Sequence, residues 1–343
     1  MTDTLLDIRD LSVAFGEGER QVLAVDRVSF TIGKGETVAL VGESGSGKSV
    51  TALSVMKLLP YPAAHHPSGE IMFKGQSLLT MPERDIRRVR GNDITIIFQE
   101  PMTSLNPLHT IEKQLSEVLL LHRGMTGEAA RARIVSLLDQ VGIPDPAGRL
   151  GSYPHQLSGG QRQRVMIAIA LACGPDLLIA DEPTTALDVT IQAQILALID
   201  ELVADTGMAL LLISHDLAVI GRHVRRMLVM YGGSVVESGP TEAVFARLAH
   251  PYTRGLFAAR PRLGAGTRGA KLATIPGRVP ELADLPAGCT FSNRCPWVVD
   301  ACRAALPPMV EVGAGHAARC IRVHELPATG EALTPTLSQR ERG

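Results

Sequence analysis

The chain has 343 residues, of which 45% are hydrophobic and 20% charged, proportions typical of a globular protein with a sizeable core. Its formal net charge of −1 excludes a bulk field that would attract nucleic acid or anionic lipid. The start lacks a secretory pattern, and no apolar run approaches the roughly 18 residues that span a bilayer. We therefore expect a cytosolic protein that reaches a membrane only through a partner.

Two amphipathic runs open the chain. Leu5–Phe15 and Val22–Ile32 alternate apolar and polar residues around a glycine-containing turn, which predicts an antiparallel sheet. The apolar run Thr37–Val41 predicts a short buried strand that leads into a glycine-rich segment. A helix is expected from Lys48 to about Leu59, where prolines stop it.

The glycine-rich segment fits the phosphate-binding pattern G-x-x-x-x-G-K-[ST]. Successive backbone N–H groups at a helix N-terminus form a cradle for phosphate, and the lysine reaches the β- and γ-phosphates. The hydroxyl of the last residue binds Mg²⁺. The sequence therefore predicts a nucleoside triphosphate site made by Gly42, Glu43, Ser44, Gly45, Ser46, Gly47, Lys48 and Ser49.

A helical region follows the first strands. Between about residues 101 and 164 the apolar residues recur at helical spacing, as in Ile111, Leu115 and Leu119. We interpret this region as a helical subdomain inserted into an α/β core.

A second phosphate-binding motif begins a helix near the end of this region and consists of Leu157, Ser158, Gly159, Gly160 and Gln161. The two glycines allow close backbone approach, the serine adds a hydroxyl, and the N-terminus of a helix attracts anions. The motif lies too far along the chain to reach the nucleotide held by the first segment. It therefore suggests a site shared between two chains, as in an ATP-driven motor that dimerises.

Polar residues follow three apolar strands, and ligands collect at the carboxyl ends of strands in parallel α/β sheets. Asp181 is placed to face the Mg²⁺ shell, and Glu182 points to the opposite face, where it can orient the attacking water as a base. We expect Gln99 to bind Mg²⁺ or the water, and His215 to bind the γ-phosphate.

The cysteines are unevenly distributed. Cys173 is expected to be a core residue, whereas Cys289, Cys295, Cys302 and Cys320 cluster near the C-terminus. In a reducing cytosol such clusters indicate metal ligands rather than disulfides. The spacing C-x5-C-x6-C-x17-C matches neither the C-x2-C zinc pattern nor the ferredoxin run. We slightly favour a [4Fe–4S] cluster over Zn²⁺, with unligated packing cysteines as the alternative.

These motifs together resemble those of ABC transporter nucleotide-binding subunits, over roughly residues 5 to 255. The resemblance implies an α/β fold with a P-loop NTPase (RecA-like) core, an antiparallel β subdomain, an inserted α-helical subdomain and a small cysteine-containing C-terminal extension. In that family's terms the motifs are Walker A (Gly42–Ser49), the Q-loop (Gln99), the signature (Leu157–Gln161), Walker B (Leu177–Asp181), the catalytic glutamate (Glu182), the D-loop (with Asp188), the switch histidine (His215) and the adenine-stacking aromatic (Phe15).

A closer resemblance lies beyond this core. His250–Arg254, Ile275–Gly277 and the segment from Cys289 to Pro296 are similar to the C-terminal extension of the oligopeptide/dipeptide/nickel importer ATPases. We accordingly expect an ABC nucleotide-binding domain over residues 1–255, the extension over residues 256–325 and a disordered tail over residues 326–343.

The resemblance implies an ATPase that powers import of peptides, nickel or another small solute, with Mg²⁺ held by Ser49, Asp181 and Gln99. The implied complex contains two integral-membrane permeases, a second ATP-binding subunit (the same chain or a paralogue) and, indirectly, an extracytoplasmic solute-binding protein. Within that complex, this chain is expected to lie peripherally at the cytoplasmic face of the inner membrane. In a head-to-tail dimer each ATP would lie between Lys48 of one subunit and Ser158 of the other.

Other ATPase classes fit less well. A soluble ABC ATPase of DNA repair or translation shares the core motifs, but usually adds a coiled-coil insertion, a zinc module or a second cassette. We see none of these, and a nucleic-acid partner is not expected for a near-neutral chain. A P-loop kinase or GTPase has no need of Leu157–Gln161.

Overall fold

The computed structural model describes residues 3–18, 21–99, 104–185, 187–259 and 274–326. Two sheets and the helices around them make up the fold. The predicted tail lies outside the described residues except at its first residue. The strands are β1 (Thr4–Phe15), β2 (Val22–Gly33), β3 (Thr37–Val41), β4 (Ala64–Phe73), β5 (Gln76–Ser77), β6 (Ile94–Ile97), β7 (Leu177–Asp181), β8 (Ala209–Ser214), β9 (Arg226–Tyr231), β10 (Ser234–Pro240), β11 (Val310–Gly313) and β12 (His316–Ala318).

The smaller sheet is antiparallel and has the order β2-β1-β4-β5. The larger sheet has the order β11-β12-β10-β9-β3-β8-β7-β6, and its strands from β9 to β6 are parallel. Parallel strands are covered on both faces and are therefore largely apolar, as in Leu177–Asp181, where every residue is buried and only Asp181, at the end of the strand, is polar. Their carboxyl ends meet at one edge of the sheet.

The helices cover both faces of the larger sheet, and the first is shorter than predicted. It ends at Val55 because the chain turns at Met56 and Lys57, and Lys57 takes a left-handed conformation with φ 48°. The helices are α1 (Lys48–Val55), α2 (Glu83–Val89), α3 (Ile111–Arg123), α4 (Gly127–Gln140), α5 (Pro146–Arg149), α6 (Gly159–Leu171), α7 (Val189–Thr206), α8 (Leu217–His223), α9 (Thr241–Ala246), α10 (Pro251–Ala258) and α11 (Asp300–Ala304).

Two hydrophobic cores lie on opposite faces of the larger sheet, because successive strand residues point to opposite faces. Leu178 and Ala180 pack into the core shared with the helical region α3–α6, whereas Leu177 and Ile179 pack into the core shared with the antiparallel sheet. Cys173 is buried, as predicted.

Two strands of the C-terminal extension belong to the larger sheet. β12 pairs with β10, and β11 pairs with β12. The buried Glu237 on β10 bonds His316 Nε2 through Oε1 at 2.8 Å and accepts the backbone N–H groups of Ala249 and His250. The extension is thereby joined to the core by backbone pairing and by a buried polar network.

Candidate functional site

A cavity of about 410 Å³ lies at the carboxyl edge of the parallel strands. It combines the loop after β3 with residues that follow β6, β7 and β8, as the strand-end argument predicts. The residues around it are Ser44, Gly45, Ser46, Gly47, Lys48, Ser49, Val50, Gln99, Glu182, Thr185 and His215.

The glycine-rich loop wraps around the end of Lys48. The Lys48 ammonium donates hydrogen bonds to the carbonyl oxygens of Gly42 at 2.8 Å and Glu43 at 2.9 Å, and its side chain is almost fully buried. Burial lowers the pKa of Lys48, while the charges of Glu182, Asp181 and Glu43 act in the opposite direction. A buried ammonium beside a loop of backbone N–H groups suits a polyanionic ligand.

Gly42 is required by the packing of this loop. A Cβ at residue 42 would fall well inside contact distance of the Met230 carbonyl oxygen, whereas a Cβ at Gly45 would have nothing within 4 Å. We expect Gly42→Ala to destabilise the protein by about 3 kcal/mol and Gly45→Ala by about 1 kcal/mol, since both incur backbone strain but only the first incurs a clash. Urea unfolding of the two variants measures the difference, and equal losses would contradict the clash.

Ser49 and Asp181 provide oxygen ligands suited to Mg²⁺. The Ser49 hydroxyl donates to Asp181 Oδ1 at 3.1 Å, across from the loop to the end of β7. Burial raises the pKa of Asp181 and the Glu182 charge adds to this, while the Ser49 hydrogen bond and the Lys48 charge act in the opposite direction. The hydroxyl and carboxylate oxygens are hard ligands of the kind that bind Mg²⁺.

The Glu182 side chain contacts three other residues that line the cavity. One of its oxygens, Oε2, accepts hydrogen bonds from Gln99 Nε2 and Thr185 Oγ1, both at 2.9 Å. The other, Oε1, lies 3.2 Å from His215 Nδ1. The backbone of Glu182 has φ 47°, a sparsely populated conformation that recurs at functional sites. The structure thus brings together three residues predicted for the site.

Thr185 is a site residue that the sequence analysis missed. It lies in the turn after Glu182, where its N–H donates to the Glu182 carbonyl at 3.1 Å. A hydroxyl residue three positions after a candidate base was the available signal.

The second motif predicted to bind phosphate, Leu157–Gln161, lies outside the described lining of this cavity. Ser158 caps α6 by accepting the Gln161 N–H, while the Gln161 side chain accepts the Ser158 N–H. Ser158 and Gly159 are exposed, whereas Leu157 is buried and anchors the motif. One turn further, the buried Gln163 donates to the Pro183 carbonyl at 2.6 Å and ties α6 to the segment after Glu182.

Two other predicted residues also lie away from the lining. Phe15 ends β1, is half-buried and packs against the core under the antiparallel sheet. Asp188 caps α7 by accepting the Ile191 N–H at 2.9 Å. Neither is among the described residues that line the cavity.

The four C-terminal cysteines line a second pocket together with Ser292. Burial raises the pKa of the Cys289 and Cys320 thiols, and that of Cys295 to about 11. Ser292 Oγ is buried there and has no hydrogen-bond partner. Over the described ranges, no group of three or more His, Cys, Asp or Glu side chains is arranged to hold a metal ion.

Two known protein families match separate parts of this chain. Residues 25–185 match the ABC transporter family, and residues 236–302 match the C-terminal region of oligopeptide/dipeptide transporters. A protein of Brucella ovis named for peptide import and ATP binding is 53% identical over 333 residues, which cover 94% of this chain and 98% of that protein. The chain belongs to the ABC transporter ATP-binding subunits of the oligopeptide/dipeptide type. The dipeptide transport ATP-binding protein DppD of Escherichia coli is 48% identical over 316 residues, 92% of this chain and 96% of DppD.

This ABC ATPase hydrolyses ATP. A solved dimeric ATP-binding cassette, in a post-hydrolysis state bound to ADP and Pi, is 29% identical with a TM-score of 0.62, over 69% of this chain and 99% of that one. The predicted P-loop NTPase fold is confirmed. The alternative of a soluble ABC ATPase in DNA repair or translation finds no support among these relatives. Within the described part of the chain, no helix is both long and apolar enough to span a membrane.

Proposed function

We propose that this ABC ATPase subunit powers the import of peptides through a membrane complex. The observation that carries the proposal is that one chain combines the ATP cavity with the oligopeptide/dipeptide-type C-terminal region. The names of its relatives in Brucella ovis and Escherichia coli agree with a peptide or dipeptide as cargo.

The cavity supports the chemistry of ATP hydrolysis. Lys48 can exchange its two carbonyl acceptors for phosphate oxygens, and Ser49 with Asp181 would hold Mg²⁺, which neutralises charge on the phosphates. Glu182 is the base that orients the attacking water and accepts its proton. Gln99, Thr185 and His215 would set the position of its carboxylate, since all three contact it.

A shared site between two ATPase subunits is supported by the second motif. Ser158 and Gly159 are exposed at the N-terminus of α6 and lie outside the described lining of their own cavity. An exposed helix N-terminus with two glycines can bind the phosphates of a nucleotide held by another chain. We infer a head-to-tail dimer in which Ser158 of one subunit contacts the ATP bound by Lys48 of the other.

Attachment to membrane permeases is supported by exposed apolar side chains in the helical region and beside Gln99. Leu108 is 82% exposed and Leu121 75%, and Leu120 and Phe98 are also exposed. Such apolar residues fit a surface covered by a partner. Phe98 directly precedes Gln99, whose side chain donates a hydrogen bond to Glu182. A permease that contacts Phe98 would therefore be coupled to the hydrolysis site through Gln99. These contacts would place the subunit at the cytoplasmic face of the inner membrane. The solute-binding protein would bind the permeases from the opposite, extracytoplasmic side.

Uptake of labelled dipeptide by cells that lack the gene tests the proposed cargo. We expect uptake to be lost, to return with the wild-type gene and to stay lost with a Glu182→Gln gene. Uptake of ⁶³Ni²⁺ in the same strains is the comparison. If only nickel uptake is lost, the cargo is nickel rather than peptide. If neither uptake is lost, the subunit imports neither dipeptide nor nickel.

We also propose that the four C-terminal cysteines hold a [4Fe–4S] cluster. Four thiols around one pocket, with the unpartnered Ser292 hydroxyl among them, fit a cluster ligated by Cys289, Cys295, Cys302 and Cys320. A single Zn²⁺ fits less well, because four sulfurs on one ion lie only about 3.8 Å apart and the described side chains form no such group. The bound cluster would cross-link the extension.

Metal analysis of anaerobically purified protein tests the cluster. We expect about four iron atoms per chain and a visible absorption band, both lost in Cys295→Ser. Cys173→Ser is the matched control, since Cys173 is buried but is not among the described residues that line the cysteine pocket, and its loss should leave the iron unchanged. Zinc in place of iron would overturn the choice of metal, and protein free of both would reject the site.

A further inference from the structure

Among the described residues, the C-terminal extension forms hydrogen bonds with the phosphate-binding loop at Glu43. Arg294 Nη1 donates to Glu43 Oε2 at 2.7 Å and Nη2 donates to Glu43 Oε1 at 3.1 Å, a two-pronged ion pair across 251 residues of sequence. Paired N–H donors of a guanidinium match the two oxygens of a carboxylate, a geometry that lysine cannot provide. The pair therefore fixes both the position and the orientation of the Glu43 side chain.

Arg294 is itself buried and held by further contacts. Its Nε donates to the Pro276 carbonyl at 2.9 Å, and its side chain is only 5% exposed. The guanidinium carbon lies 5.8 Å from the centre of the Tyr231 ring and 6.0 Å from that of Phe291. The ion pair with Glu43 raises the pKa of Arg294 further above its usual range, against the effect of burial. A charge buried in this way has Glu43 as its counter-ion.

The backbone of Glu43 is fixed from the same side of the molecule. Its N–H donates to the Tyr252 hydroxyl at 2.7 Å, and Tyr252 packs against Tyr231 and Phe291 with ring centres 4.7 and 5.4 Å away. Its carbonyl oxygen accepts from Lys48 at 2.9 Å. The side chain, the N–H and the carbonyl of one loop residue are thus all engaged, and two of the three contacts come from residues beyond 250.

We propose that Arg294 is a positioning residue of the ATP site, through which the C-terminal extension sets the affinity for nucleotide. A phosphate cradle binds well when its N–H groups are ordered before the ligand arrives, since ordering them on binding costs affinity. Once phosphate is bound, its own contacts order the loop. Loss of Arg294 therefore weakens nucleotide binding and leaves the rate at saturating ATP nearly unchanged.

Titration calorimetry with MgADP on the full-length chain, together with ATPase assays of the assembled complex, tests the proposal. We expect Arg294→Lys and Arg294→Gln to raise the Kd for MgADP and the KM for ATP by about tenfold, with kcat within about twofold of wild type. Arg303→Ala is the matched control, because Arg303 lies in the same extension, is exposed and bonds only Asn293 among the contacts described for it. It should change neither constant.

A double-mutant cycle separates positioning from a purely structural role. Glu43→Gln should raise the Kd as Arg294→Gln does, and the double variant should be no weaker than either single variant, because both remove the same contact. Additive effects, or a lowered melting temperature with an unchanged Kd, would overturn the proposal. If Arg294→Gln does not fold, Arg294→Lys keeps the buried charge and gives the same test.

Discussion

Replacing Glu182 by glutamine is expected to reduce ATP turnover by about two orders of magnitude or more while ATP remains bound, because general-base catalysis contributes about 10²–10⁴-fold. Glutamine has nearly the same shape and keeps one oxygen that can accept from Thr185, so the arrangement around residue 182 should persist. What is lost is the group that we propose takes the proton from water. A dimer that closes on ATP then has no route to reopen by hydrolysis.

Size-exclusion chromatography with ATP, followed by a phosphate-release assay, measures both parts of this result. The variant should elute as a stable ATP-bound dimer and the wild type as a transient one. Glu201→Gln is a suitable control, since Glu201 is exposed on α7 and does not line the cavity. Wild-type turnover in Glu182→Gln would remove Glu182 from its assigned role.

Two inactive variants are expected to restore each other when mixed, if the ATP site is shared between subunits. Lys48→Met removes the ammonium that is proposed to contact phosphate in one chain. Ser158→Asp keeps a good helix cap but places a negative charge against the phosphate held by the partner. Each variant alone has two defective sites, whereas a mixed dimer has one intact site, made by Lys48 of one chain and Ser158 of the other.

Equal amounts of the two variants should give about a quarter of wild-type turnover, because half of the randomly formed dimers are mixed and each has one working site of two. Ser158→Asn is the neutral control, and it should keep most activity alone. An inactive mixture would contradict a shared site in a dimer of this chain, and activity in Ser158→Asp alone would contradict the contact itself.

Local sequence patterns predicted most of the fold and the lining of the cavity. The strands of the parallel sheet are continuous apolar runs, and residues at their ends, such as Gln99, Glu182 and His215, come together by topology alone. The spacing of the glycines and of the Lys-Ser pair in Gly42–Ser49 predicted which residues form the phosphate-binding loop. Helix α1 was predicted too long because the residue in the left-handed conformation that follows it is Lys57 and not glycine, so the sequence carries no signal for the turn.

Contacts between distant segments could not be predicted. Nothing near Arg294 indicates that its partner is Glu43, and nothing near Glu182 indicates that Gln99 and Thr185 share one of its oxygens. These depend on how the elements pack, which pattern and propensity do not specify. The cysteine pocket was predictable only in part. The clustering of the cysteines in sequence indicated that they lie close together, but it did not indicate that the thiols are buried.

The pairing of β12 with β10 has a consequence for how this subunit can be divided. Without the last two strands, β10 would present a row of unpaired N–H and C=O groups, which invites aggregation through the exposed edge. In the intact chain the edge is β11, which is four residues long and carries the exposed Glu311, a poor template for further pairing. Truncation near residue 255, where the cassette resemblance ends, would therefore leave a sheet that is open rather than a self-sufficient domain.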